Sequence, residues 1–328
     1  MRAMTSCGIY ATPRYPANAS DGDPIRRVRI GELCAIAWQG GGVRSQLVAI
    51  AAGVALVTAA CSGESDTGTP AGAGASQSPA VALSADYLPG LAADLRVPSG
   101  NGPATLVVLV PGGGWQSADP AGLVPLAELL TDEGNVTATI TYSTIGQGAT
   151  FPRPADDVAC AVRWAAEEAS AAGRSPTEIV VLGHSAGGHL ASLVALSGSE
   201  FGADCPAPPV DIEGLIGLAG VYDVRPLGSS LDSLFGASIR ESPALWSLGN
   251  PIEWAGHPAS APDDLRVLLL HGDADTSVPL EQTESFADAL KSSGIDVTVV
   301  VLPGQTHGTI YDASVAGPEV TTWLAGGV

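Results

Sequence analysis

The feature that most narrows the fold is an alternation of two kinds of segment. Short apolar runs, rich in β-branched residues, recur at 106–110 (LVVLV), 136–142 (VTATITY), 178–182 (EIVVL), 212–219, 265–270 (LRVLLL) and 297–302 (VTVVVL). Between them, 123–133, 155–172, 186–197 and 280–292 place apolar residues at helical spacing. A strand that is apolar at nearly every position has to be buried on both faces, and intervening amphipathic helices supply the cover. The pattern therefore predicts an α/β domain from about residue 83 to 328, with a mainly parallel central sheet and helices on both faces. Residues 91–97 read as an antiparallel strand at one edge. In such sheets ligands bind beyond the carboxyl ends of the strands, so chemistry is sought in the loops that leave those ends.

One such loop carries Gly183-His184-Ser185-Ala186-Gly187, directly after the strand EIVVL and directly before a helical run. This is G-x-S-x-G in strand–turn–helix context, where the glycines permit a sharp turn that exposes the serine hydroxyl at a helix N-terminus. Ser185 is the candidate nucleophile; the bland alternative is an ordinary turn serine.

A serine hydroxyl needs a base, and the base needs an orienting acid. Of the five histidines, His184 adjoins Ser185 and is expected to point away from its Oγ. His189 lies on the following helix, His257 in a Pro-rich loop, and His271 closes a strand in an expected structural role. His307, in Gly304-Gln305-Thr306-His307-Gly308 after the last strand, fits the chain order Ser, Asp, His. For the acid, Asp273 and Asp275 compete in the loop 271–279 (HGDADTSVP). Asp275 is preferred, with Asp273 read as a turn residue capping local N–H groups.

The oxyanion-binding groups are expected where 106–110 runs into Pro111-Gly112-Gly113-Gly114-Trp115. Backbone N–H groups of Gly113 and Gly114, with that of Ala186, are the natural donors. The run lacks the Lys and Ser/Thr of a phosphate-binding loop. Trp115 either lines the site or packs in the core.

Taken together, GGGW at 112–115, GHSAGGH at 183–189, HGDADTSVP at 271–279 and GQTHG at 304–308 resemble the esterase/lipase family of α/β-hydrolases. That family is related to hormone-sensitive lipase and includes bacterial feruloyl-esterase-like proteins. The resemblance runs from about residue 85 to the end. It implies the α/β-hydrolase fold, a Ser185–His307–Asp275 triad, oxyanion donors at Gly113 and Gly114, a small-molecule ester substrate and an acyl-enzyme mechanism with no metal or organic cofactor. The chain departs from the family at Pro111, where a histidine usually stands and helps hold the oxyanion loop; proline instead stiffens the loop by fixing φ. Two other readings stay open: an amidase or peptidase with the same triad, or an inactive surface lipoprotein that binds a partner. Substrate choice is expected to rest on 222–262, whose Leu231, Leu234, Phe235, Trp246 and Trp254 form a lid or acyl wall, or else pack short helices onto the sheet.

Ahead of this domain, residues 47–60 (LVAIAAGVALVTAA) form an uncharged apolar run between Arg44 and Cys61. The run is short for a bilayer span but suits the core of a signal peptide. Thr58-Ala59-Ala60-Cys61 resembles a bacterial lipobox, so 43–60 is read as the signal and Cys61 as the lipidated residue of a membrane-anchored, extracytoplasmic protein. Residues 61–82, mostly small and polar, read as a flexible tether. Residues 1–42 fit no part of this plan and are read as a misassigned extension, with Val43 as the true start.

Net charge is −20, from 34 acidic and 14 basic residues. Without residues 1–60, 8 basic and 31 acidic residues remain, a formal −23. A field of that sign repels phosphate backbones, which argues against nucleic-acid binding. The five cysteines show no metal-ligand spacing. Cys7 and Cys34 lie in the discounted extension, while Cys160 and Cys205 are either a disulfide in an oxidising compartment or two small buried thiols.

Overall fold

A computed structural model describes residues 81–256 and 263–326. The segment 1–42, the expected signal 43–60, Cys61, nearly all of the tether and His257 lie outside the described residues.

Among the described residues, eight strands form one sheet. In chain order they are β1 (Val81–Leu88), β2 (Leu91–Val97), β3 (Ala104–Val110), β4 (Val136–Ile140), β5 (Pro176–His184), β6 (Gly214–Leu218), β7 (Arg266–Gly272) and β8 (Asp296–Leu302). In space the order is β1-β2-β4-β3-β5-β6-β7-β8. Pairs involving β2 are antiparallel; all pairs from β4 to β8 are parallel. The chain leaves β3 toward β4 on one side and returns to β5 on the other. The order thus reverses around β3, and a crevice opens beyond the carboxyl ends of β3 and β5.

Both faces of the central strands β3, β4, β6 and β7 are buried. In β3, Leu106, Val108 and Val110 enter one core, and Val107 and Leu109 enter the other. Helices α1 (Val124–Asp132) and α8 (Ala313–Leu324) cover the second core. The first is covered by α2 (Arg153–Ala171), α3 (Ala186–Leu196) and α7 (Leu280–Ser292). The alternation legible in the sequence is this two-sided burial.

Two expectations need correction, and one helix was not foreseen. Residues 91–97 do form an antiparallel strand, but β1 lies outside it, paired from Val81↔Val97 to Leu88↔Leu91. Val81 and Ala82, assigned above to the tether, open that strand. A helix not foreseen, α8, contains Pro318 in its interior. Proline removes a helical hydrogen bond, and burial of Ala316, Val320 and Trp323 compensates.

The segment after β6 folds into three short helices, α4 (Asp232–Phe235), α5 (Pro243–Leu248) and α6 (Pro251–Ala255). Leu231, Leu234, Phe235 and Trp246 are buried, and Phe235 stacks on Trp246 with centroids 4.3 Å apart. Trp254 donates its indole N–H to Leu248 O at 2.8 Å. These apolar residues pack the helices onto the sheet. No described helix is long and apolar enough to cross a membrane.

Cys160 on α2 and Cys205 in the loop after α3 have sulfurs 2.01 Å apart and Cα atoms 5.2 Å apart, as in a disulfide. The same loop is held to α2 by Arg163, which donates to Gly202 O at 2.6 Å and Phe201 O at 2.9 Å, and by Asp156, which accepts from Gly202 N at 2.8 Å. A cross-link closing 45 residues restricts the unfolded chain, an effect worth about 2–4 kcal/mol. Replacing both cysteines with alanine is expected to lower unfolding free energy by that amount in urea titration. An unchanged midpoint and slope would show that the pair contributes nothing.

Candidate active site

The site is assembled at the crevice. Between the end of β5 and the start of α3 stands Ser185 alone, at φ 55° and ψ −120°. Such a conformation costs on the order of 1–3 kcal/mol for a non-glycine residue and persists only where its surroundings hold it. Ser185 N–H donates to Leu218 O at 3.0 Å, and Ser185 O accepts from His189 N at 3.1 Å. The flanking glycines are contact requirements. A Cβ on Gly183 would lie 2.3 Å from Gly187 O, and one on Gly187 would lie 2.2 Å from Val110 O.

His307, in the loop after β8, reaches this serine: its Nε2 is 2.9 Å from Ser185 Oγ. Its Nδ1 is 2.7 Å from Asp275 Oδ2. A carboxylate accepts, so Nδ1 carries the proton and Nε2 offers its lone pair to the serine hydroxyl. Asp275 follows β7, and its side chain is 1% exposed. Its Oδ1 accepts from Ser277 N at 2.8 Å and Val278 N at 2.9 Å. Burial pushes its carboxyl up, but the Val278 N–H, His307 and the Ser277 N–H outweigh burial and hold it below the usual range. Asp273 is exposed and accepts from Gly304 N at 2.6 Å, tying the two loops together without touching His307.

The 111–115 turn passes directly over Ser185. A Cβ on Gly112 would stand 3.1 Å from Ser185 Cβ. Gly113 and Gly114 have φ of 130° and 58°, and a Cβ on Gly113 would lie 2.3 Å from Ser117 O. Gly113 O closes the turn by accepting from Gln116 N at 3.0 Å and Ser117 N at 3.2 Å. Ala186 N–H heads α3. Pro111 donates nothing, but its carbonyl accepts from Tyr142 Oη at 3.1 Å. Trp115 is a core residue, 5% exposed.

Two further histidines support these loops: His184 points away from Oγ and His271 is structural, as expected, but their partners were not foreseen. His184 turns away from Oγ and donates its Nε2–H to His307 O at 3.0 Å, beside the ring of Tyr311. His271 donates Nε2–H to Val278 O at 3.0 Å and accepts from Thr283 Oγ1 at 2.7 Å, steadying the Asp275 loop. Their acceptors are main-chain carbonyls or belong to other elements, so no motif announces them.

A cavity of about 200 Å³ adjoins the turn, lined in part by Gly112, Gly113, Asp119, His184 and Tyr311. A larger hollow of about 540 Å³, near Arg163 and Pro176, lies at the amino end of β5 and away from this chemistry. Among the described residues, no group of three or more His, Cys, Asp or Glu side chains is placed to hold a metal ion.

Comparison with known proteins yields a consistent group. A family model described as BD-FAE matches residues 93–290. Esterase LipC of Mycobacterium tuberculosis (strain ATCC 25618 / H37Rv) is 29% identical over 232 residues, covering 66% of this chain and 56% of LipC. A probable isoprenylcysteine alpha-carbonyl methylesterase, ICME, of Oryza sativa subsp. japonica is 27% identical over 232 residues, covering 66% of this chain and 55% of its own. The chain thus spans about half the length of the curated relatives it matches. Among solved structures, a truncated carbohydrate esterase from gut microbiota superimposes with a TM-score of 0.63 at 21% identity, covering 77% of this chain and 98% of that one. Propionate-bound Est2, an esterase of Thermogutta terrifontis, gives 0.60 at 24%, covering 75% and 92%. At these identities the likeness establishes the α/β-hydrolase fold.

Burial, aided for His184 by the nearby His307, pushes His184 and His189 down from 6.5 to about 4. Between those values the unfolded chain binds protons that the folded chain refuses, so stability falls as pH drops from about 6.5 to about 4 and levels below. Each group contributes on the order of 3 kcal/mol at full effect. Urea unfolding at pH 7 and pH 4.5 measures the loss, and His184→Asn should make it shallower. A variant with the wild-type pH slope would contradict the assignment to His184.

Proposed function

The chain belongs to the BD-FAE family, and from that membership and the site's geometry we propose that it is a serine hydrolase of carboxylic esters. One observation carries the reading: an unbroken hydrogen-bond chain from Ser185 Oγ through His307 to the buried Asp275 carboxylate. Relatives named for ester hydrolysis support the reaction class.

In the proposed cycle His307 Nε2 takes the hydroxyl proton as Ser185 Oγ attacks the ester carbonyl. The N–H groups of Gly113, Gly114 and Ala186 receive the oxyanion, where preorganised donors act at full strength. His307 then gives its proton to the departing alcohol, and water, activated by the same imidazole, releases the acyl group. Asp275 holds the Nδ1–H tautomer and stabilises the imidazolium when it forms. A small ester is the substrate. The reading extends to location: the apolar run 47–60 ahead of Cys61 and the small-residue tract after it support an extracytoplasmic protein anchored by lipid on Cys61.

Hydrolysis of p-nitrophenyl acetate and butyrate tests the reaction. Ser185→Ala is expected to lower kcat by at least ~10³-fold while leaving the fold intact, and Asp275→Asn to lower it by a comparable order through the wrong histidine tautomer. Activity that survives Ser185→Ala would dismiss the nucleophile. Faster turnover of aminoacyl amides than of esters would make the protein an amidase. A folded wild type that neither turns over nor takes a fluorophosphonate label would leave the binding-lipoprotein reading in possession.

A further inference from the structure

We infer that Trp115 and His189 are positioning residues of this reaction, a buried strap that locks the oxyanion turn to the helix bearing the nucleophile. The inference rests on the serine-hydrolase reading above.

The turn has a problem of anchorage. Its first residue, Pro111, has no N–H to donate, and the two glycines that follow Gly112 have no side chain to hold them. The orientation of their N–H groups is therefore set by what fixes the ends of the run. At one end Tyr142 Oη donates to Pro111 O at 3.1 Å. At the other stands Trp115, itself at φ 58°, whose carbonyl accepts from Ile145 N at 2.8 Å. Its indole Nε1–H points into the core and meets His189 Nδ1 at 3.2 Å, with the two ring planes at 86°.

His189 is fully buried on α3. Its backbone N–H bonds to Ser185 O at 3.1 Å, so it lies one turn below the nucleophile. Its Nε2 is 2.8 Å from Gly249 O. A carbonyl only accepts, so Nε2 bears the proton and Nδ1 keeps a lone pair, which the Trp115 N–H fills. Every polar atom of the strap is satisfied in one direction: Trp115 to His189 to Gly249. Burial keeps the imidazole neutral at ordinary pH, and a neutral ring is what the arrangement requires.

The strap joins two elements that supply oxyanion donors separately. Gly113 and Gly114 belong to the turn, and Ala186 heads the helix that carries His189. An oxyanion hole works only if donors from both converge on one point, and misplacement by about 1 Å can cost ~10²-fold in rate. The ordinary alternative is that His189 and Trp115 are merely satisfied core residues.

Trp115→Phe separates the two, since it keeps the ring and removes the donor. Turnover of p-nitrophenyl butyrate is measured per site titrated with fluorophosphonate, together with inhibition by a trifluoromethyl ketone, whose serine adduct carries the oxyanion. The expected result is a kcat lower by on the order of 10–100-fold, KM within about twofold, and a matching loss of ketone affinity. His189→Asn can still accept at the Nδ1 position and should retain more kcat than His189→Gln, which cannot. If Trp115→Phe fails to fold, that Asn-against-Gln comparison carries the test. Wild-type kcat and ketone affinity per titrated site in Trp115→Phe would overturn the strap alone, as would a kcat loss with unchanged ketone affinity. A wild type without turnover would instead overturn the esterase reading, and this inference with it.

Discussion

The first turn of α3 presses against the end of β3 so closely that a methyl group on Gly187 would come within 2.2 Å of the Val110 carbonyl oxygen. On its other flank, a methyl on Gly188 would come within 2.8 Å of the Gly220 Cα. The helix thus enters between the ends of β3 and β6 with no clearance, and the single residue joining it to β5 has no freedom in how it turns. Among the described residues, the non-glycine residues with positive φ are Trp115, Ser185 and Ala219, and they follow β3, β5 and β6. Strain of this kind clusters where neighbouring structure over-determines the backbone. Here the sheet supplies that constraint: Ser185 N–H is held by Leu218 O, and Ala219 N–H by Leu270 O at 2.9 Å. Ser185 and the 111–115 turn are consequently parts of one packed unit rather than two loops that happen to meet.

Histidine chemistry across this unit is sorted by surroundings. His184, His189 and His271 are buried, and each gives one N–H to a main-chain carbonyl, of His307, Gly249 and Val278 respectively. Desolvation holds all three below the ordinary imidazole range, so they serve as fixed neutral donors. His307 differs in its surroundings: it keeps 21% exposure and faces a carboxylate on one side and a hydroxyl on the other. These three buried imidazoles thereby steady the segments around Ser185, His307 and Asp275.

The interior strands were legible because burial on both faces leaves little room for polar residues, and G-x-S-x-G was legible because contact distances dictate its glycines. The periphery followed weaker rules. β1 reads as VALSADYL, with too little apolar patterning to stand out from the small-residue tract before it, and only pairing with β2 makes it a strand. α8 was hidden by Gly317 and Pro318, which oppose a helix locally while the core enforces one. The choice between Asp273 and Asp275 turned on which carboxylate the β7 loop directs inward, and loop geometry is not written in residue type. The contacts of His184 with His307 and of His189 with Gly249, and the Cys160–Cys205 proximity, join positions 45 to 123 residues apart, a long-range relation that one sequence does not encode in any local pattern.

The charge balance poses a question that the site answers locally. A chain with a formal charge of −20 would, by its overall field, disfavour one more ionised carboxylate, and burial adds to that. Asp275 is nonetheless held below the usual carboxyl range. Screening confines exposed charges to an influence of about 8–10 Å at physiological ionic strength. Hydrogen bonds at 2.7–2.9 Å from Val278, His307 and Ser277 act inside that limit and in a drier medium. The near field therefore prevails over the far one. Because the donors are two backbone N–H groups fixed by the β7 loop and one imidazole, ionisation of Asp275 is a property of the fold, independent of the acidic surface, and it is this ionisation that keeps the His307 proton on Nδ1 and the lone pair of Nε2 turned toward Ser185.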